Sequence, residues 1–221
     1  MLSRARIANP HPPVSGTPTG TTAGQAARPH GLVGRGFGRV MAWLNDEMNR
    51  FALERLDLRP DQRVLEVGFG PGLLLRAIAD RMVSGSVDGV DWSPAMLAQA
   101  RARNRFHLAC GRVRLHEASI ARLPFPDACF DRACAVNSFQ FWPDPAACLR
   151  ELRRVLRPGA RVAIALRSGA GRARFGMGGI AEPERVDCAA ALLPKSGFRE
   201  AWVETQRLRF VTAACVLGIA G

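Results

Sequence analysis

Three glycines at every second position, Gly68, Gly70 and Gly72, follow an acid, Glu66, in the stretch Val64-Leu65-Glu66-Val67-Gly68-Phe69-Gly70-Pro71-Gly72. Glycine adopts positive φ without steric cost and lets the main chain come close to a ligand, so this spacing suits a turn wrapped around a bound molecule. A dinucleotide turn is spaced G-x-G-x-x-G and sets a pyrophosphate on a helix N-terminus. Here the position three after Gly70 is Leu73, and Glu66 is badly placed for a pyrophosphate but well placed for an ammonium. That combination points to a nucleoside that also carries an amino acid, such as a sulfonium nucleoside. A second acid, Asp91, follows the turn by about twenty residues and can accept two hydrogen bonds from ribose hydroxyls. Asp91 or Ser93 can equally cap a helix opening at Pro94, and both roles are compatible.

The elements that must hold these residues are legible from periodicity. Val64, Leu65 and Val67 read as a strand buried on both faces, and residues 73–78 as the helix after it. Residues 86–91 form the next strand, and residues 132–136 and 161–166 two more, separated by a helix over 145–156 and a turn over 157–160. Alternating strands and helices predict an α/β fold with a mainly parallel, doubly wound sheet. Segments 201–206 and 209–217 can supply a C-terminal antiparallel hairpin.

Glu66-x-Gly68-x-Gly70-x-Gly72 resembles the first motif of the class I S-adenosylmethionine-dependent methyltransferases. Ser119-Ile120-Ala121-Arg122-Leu123-Pro124-Phe125-Pro126-Asp127-Ala128-Cys129-Phe130-Asp131 is similar to the segment that many small-molecule members write G-D-A-x-x-L-P-F-x-D-x-x-F-D. Leu152-Arg153-Arg154-Val155-Leu156-Arg157-Pro158-Gly159 resembles their R-V-L-K-P-G-G signature, with Ala160 in place of the last glycine. The likeness covers about residues 60 to 166 and is strongest to the branch that includes ubiquinone and menaquinone biosynthesis methyltransferases. It implies a Rossmann-like, seven-stranded sheet with S-adenosyl-L-methionine as cofactor. It further implies that Glu66, Gly68, Phe69, Gly70, Gly72, Asp91, Trp92, Met96, Ser119, Ile120 and Asn137 surround that cofactor. Ser119 stands where the family usually has an adenine-binding Asp, so a neutral hydroxyl replaces a carboxylate there.

The resemblance places the acceptor beyond the fourth strand, near Phe139, Phe141 and Trp142, under a lid drawn from residues 39–56 with Trp43, Met41, Met48 and Phe51. Residues 169–179 are a second contributor. Each aromatic can instead be ordinary core. An apolar or aromatic acceptor, methylated on carbon or oxygen, is the expected substrate. No residue stands out as a catalyst, and Asn137 can at most orient the nucleophile. Enzymes that methylate base amino groups carry Asn or Asp, two prolines and an aromatic here; Asn137-Ser138-Phe139-Gln140 departs from that pattern. Two other readings compete: an NAD-dependent oxidoreductase on a related sheet, and an RNA-associated or non-catalytic cofactor-binding protein.

Composition fits one such domain. The chain has 221 residues, 48% apolar and 23% charged. Residues 1–30, rich in Pro, Gly, Ser and Thr, are expected to be disordered, followed by a helical lid over 31–58 and the methyltransferase domain over 59–221. The net charge of +12 invites a nucleic-acid partner. The arginines are dispersed, however, and Arg150, Arg153, Arg154 and Arg157 read as a solvated helix face, so a small-molecule partner is preferred. The six cysteines lack a C-x-x-C pair and read as reduced, buried thiols, and no metal site is expected. Of the histidines, His107 follows a helix, His116 ends a strand, and His30 precedes the first ordered segment. Neither a secretory h-region nor a long apolar run is visible, which makes a cytoplasmic protein the expectation.

Overall fold

The computed structural model describes residues 46–168, 182–209 and 211–221. Among these, seven strands form one sheet: β1 (Arg63–Val67), β2 (Ser86–Asp91), β3 (Val113–Glu117), β4 (Phe130–Val136), β5 (Leu156–Ser168), β6 (Phe198–Arg207) and β7 (Thr212–Ala220). Their order is β3-β2-β1-β4-β5-β7-β6. Strands β1 to β5 pair in parallel, and β7 runs antiparallel to both β5 and β6. The sheet is thus the doubly wound, mainly parallel one expected, finished by the C-terminal hairpin.

Helices cover both faces. On one lie α1 (residues 46–55), α2 (Leu73–Ala79) and α3 (Pro94–Arg103), packing Met48, Phe51, Leu74, Leu75, Ile78 and Leu97 against Val64, Cys134 and Ala163. The short α4 (Arg105–Ala109) follows α3. On the other face lie α5 (Pro145–Val155) and α6 (Glu182–Lys195), with Leu149, Leu152 and Leu193 against Leu65, Val162 and Ile164. Alternation along β1 explains the division: Leu65 and Val67 go to one layer, Val64 to the other, as a strand's period of two requires. Helix α5 starts at Asp144, whose carboxylate accepts from Ala147 N at 3.0 Å, with Pro145 at its first position.

Three local expectations change. The 157–160 turn is absorbed into β5 as a bulge: Phe130 pairs with Leu156, but Arg132 already pairs with Arg161. Gly159, at φ 80°, lets the surplus residues loop out while pairing resumes. His107 lies inside α4, buried, with Nε2 2.8 Å from an Asp80 oxygen. Most of the helix-spaced arginines are clamps rather than a solvated face. Arg154 binds Glu151, Asp127 and the carbonyls of Leu123 and Phe125; Arg153 binds the carbonyls of Leu156, Gly197 and Gly221; Arg157 binds Asp131 and the Ala128 carbonyl. Four cysteines are buried, while Cys110 and Cys188 are exposed, and all six are free thiols.

Candidate active site

The carboxyl ends of β1 to β5 are sewn together by hydrogen bonds that leave the ligand-facing groups in a fixed arrangement. Gly68 N donates to Val90 O at 2.7 Å, joining the glycine turn to β2. Ala118 N donates to Asp91 O at 3.2 Å, drawing the chain after β3 to the same place. Asn137 N donates to Ala165 O at 2.9 Å, joining β4 to β5. Between β1 and β4, Ser138 Oγ donates to Val67 O at 2.8 Å.

Asp91 is the hub. It is buried, and its two oxygens accept from Gly70 N and from Ser93 N, each at 2.9 Å. Helix capping belongs to Ser93, whose Oγ accepts from Met96 N at 3.4 Å. The Asp91 carboxylate therefore steers the glycine turn and the start of α3 together. Its remaining lone pairs are available to hydroxyl donors.

The three glycines have left-handed φ values of 71°, 52° and 76°, and they do different work. A Cβ on Gly68 would stand 2.4 Å from Ser138 Cβ, and one on Gly72 would stand 2.8 Å from both Ala100 Cβ and Asn104 Nδ2. Both glycines allow chain segments to touch. A Cβ on Gly70 would meet no protein atom within 4 Å. That open side of the turn is the approach a ligand would use.

Glu66 carries an unsatisfied, negatively chargeable group at the heart of the site. It is 3% exposed, and Oε2 has no hydrogen-bond partner among the described residues. Burial, reinforced by the negative charge of Asp91, pushes its carboxyl well above the usual carboxylate range. A buried acid beside another acid, with an orphaned oxygen, is completed by an incoming cation. The residues thus fit S-adenosyl-L-methionine: an acid suited to its ammonium, an oriented carboxylate for ribose hydroxyls, and a glycine turn with room over Gly70.

The remaining expected residues divide. Phe69 is buried in the layer with Leu74 and Leu75 and touches the sheet opposite Gly89. Trp92 is 66% exposed immediately after Asp91, and Met96 is half-buried one turn into α3. Ser119 is exposed and its Oγ accepts from Ala121 N at 3.2 Å, whereas Ile120 is buried in the other layer. Asn137 holds φ 51°, a conformation few non-glycine residues adopt, and its carbonyl accepts from Gln140 Nε2 at 2.6 Å. Phe141 is 70% exposed, while Trp142 is buried with its ring 5.0 Å from that of Phe139. Met48 and Phe51 are core. Trp43, Met41, His30, the 1–30 segment and residues 169–179 lie outside the described residues.

Two residues that hold the site are not singled out by motif or periodicity. Ser138 ties β4 to β1 under Gly68. Asn104, fully buried, donates through Nδ2 to Gly72 O at 3.0 Å and Ala100 O at 2.9 Å. A small polar residue directly after a strand and an Asn between two helical segments were the available hints.

The comparisons agree with this geometry. The family described as a methyltransferase domain matches residues 65–164. The uncharacterized methyltransferase YdaC of Bacillus subtilis is 32% identical over 129 residues, 58% of this chain and 69% of that one. The demethylmenaquinone methyltransferase of Thermus thermophilus is 35% identical over 129 residues, 58% of this chain and 55% of that protein. Among solved structures, a SAM-dependent methyltransferase from Aquifex aeolicus superposes with a TM-score of 0.64 at 22% identity, over 78% of this chain and 89% of that one. The chain belongs to the class I S-adenosylmethionine-dependent methyltransferases. Its cofactor is S-adenosyl-L-methionine.

Proposed function

We propose that the protein transfers the methyl group of S-adenosyl-L-methionine to a small apolar or aromatic acceptor, on carbon or oxygen. The reading rests above all on the orphaned, buried Glu66 beside the Asp91 clasp at the end of a parallel sheet. Glu66 would hold the ammonium, Asp91 the ribose hydroxyls, and the Gly68–Gly72 turn the amino-acid portion. Trp92, Met96 and Ile120 are the candidates to border the adenine, with Ser119 at its edge, while Asn137, after β4, stands on the side of the transferable methyl group. The sulfonium supplies an already activated methyl group, so the protein's task is alignment and exclusion of water, and positioning of this kind contributes about 7–11 kcal/mol in well-oriented reactions. The exposed ring of Phe141 in the short helical turn after β4 supports an aromatic acceptor, as does the likeness to a demethylmenaquinone methyltransferase. Trp43, with the rest of a lid over 31–58, and Trp142 complete the proposed acceptor side.

Isothermal titration with S-adenosylhomocysteine, run beside NAD, tests the cofactor reading: micromolar binding of the former alone is expected. Binding of NAD alone would overturn it. Methyl transfer from labelled cofactor to a panel of quinols and phenols tests the acceptor, and turnover confined to polar, non-aromatic acceptors would reject the aromatic assignment.

A further inference from the structure

A second cleft, of about 480 Å³, opens outside α2, α3 and α4 and is lined by Arg76, Arg103, Arg105, Arg112, Phe106 and the Asp80–His107 pair. Its near end backs onto the glycine turn, where Arg103 donates to Pro71 O, and its far end, at Arg112, lies away from the methyl-transfer site. Arg112 immediately precedes β3 and so stands level with Ser86 at the start of β2, five residues before Asp91. At about 3.3 Å per residue the two places are about 16 Å apart along the sheet.

The cleft combines two features that solvent does not favour. Four arginines line it beside one carboxylate; that carboxylate is already engaged by His107 at 2.8 Å and, more distantly, Arg76 at 3.9 Å, and Arg103 donates to Pro71 O. Arg105 and Arg112 make no side-chain hydrogen bond or ion pair among the described residues. Between these charges Phe106 is 72% exposed, held through an edge contact to the His107 ring at 5.4 Å and 76°. Dispersed arginines by themselves do not set a bare aromatic ring in their midst.

We propose that this cleft binds a nucleotide unit, with the arginines on its phosphate and Phe106 as the stacking platform for its base. Guanidinium groups pair bidentately with phosphate oxygens, and aromatic rings stack on bases of any identity. The volume lies within the range of small-ligand sites, about 300–1,000 Å³. A concave surface suits such a ligand better than the flat face of a bilayer.

The test uses the full chain, a labelled ten-nucleotide uridine strand and fluorescence anisotropy across a salt series. Arg105→Ala combined with Arg112→Ala is expected to weaken binding at least tenfold and to lower the slope of log affinity against log salt by about 1.4, the value for two lost phosphate contacts on a single strand. Phe106→Ala is expected to weaken binding about 5- to 150-fold with the slope unchanged. Arg105 and Phe106 are exposed and Arg112 is half-buried with no side-chain partner among the described residues, so the thermal midpoint should move by only about 2 °C. Competition by adenosine monophosphate would identify a free nucleotide as sufficient, and resistance to it would assign the ligand to a strand; either upholds the site. Absence of binding by the unmodified chain, or equal affinity and slope in the double variant, overturns it.

Discussion

Glu66→Gln separates the energetics of the empty site from those of the filled one. In the folded protein Glu66 is buried beside Asp91 and holds its proton far more tightly than in the unfolded chain. A raised carboxyl pKa means that stability is unaffected below the unfolded value, declines as pH rises from there toward the folded value, and then levels off. Glutamine does not titrate, so the variant should escape this decline. Urea unfolding without ligand should therefore show the variant more stable than the parent at pH 8, by a margin that shrinks at pH 4.5. Ligand binding should change in the opposite direction. A hydrogen bond to a charged partner contributes about 1.5–3 kcal/mol, so loss of the carboxylate should weaken S-adenosylhomocysteine about 10- to 150-fold. Filling the parent site places an ammonium against Glu66 and should expel its proton. Titration calorimetry in two buffers of different ionisation enthalpy reads that proton directly, and it should be missing in the variant. Equal affinity and equal proton release in parent and variant would refute the assignment of Glu66 to the ammonium.

Asp91→Ala removes the acceptor for Gly70 N and Ser93 N and should cost about 1–3 kcal/mol of stability along with cofactor affinity, measured by urea unfolding and calorimetry; unchanged affinity in a folded variant would remove Asp91 from the site. Gly68→Ala should destabilise by about 2 kcal/mol or more, because its Cβ meets Ser138, and Ser138→Gly should restore part of the loss. Gly70→Ala, facing open space, should cost only its backbone strain, about 1 kcal/mol, yet lower cofactor affinity more than Gly68→Ala does per unit of stability lost. Asp88 is fully buried; desolvation raises its pKa, but hydrogen bonds from His116 at 2.8 Å and Arg63 at 3.1 Å overcome this and hold the carboxyl below its usual range. Its contribution is present above the unfolded carboxylate pKa and fades as pH falls below about 4, so Asp88→Asn should flatten the acid limb of the stability profile.

The parts of the site legible in the sequence are those fixed by short-range patterning. The glycine spacing, the alternation along β1 and the distance from Gly70 to Asp91 all follow from one β-α-β unit, whose register is local. Contacts across the sheet were not legible. Ser138 reaches β1 from β4, 71 residues away, and nothing in its neighbourhood distinguishes it from a helix cap. Arg154 looked solvated because helical spacing reveals which face a residue occupies, not that a loop 31 residues earlier offers its carbonyls to that face. The β5 bulge was hidden for a related reason: Pro158 and Gly159 announce a turn, but only pairing with β4 decides whether strand continues through it.

The ties at the strand ends are made mostly by main-chain groups, with Asp91 and Ser138 as the side chains among them. A cradle of peptide groups keeps its shape when side chains above it are exchanged. The segment carrying Phe141 after β4 is therefore free to diverge toward new acceptors while the donor half stays constant. Selection for a different substrate would need to alter only the upper storey of the sheet, and the donor could keep its grip throughout.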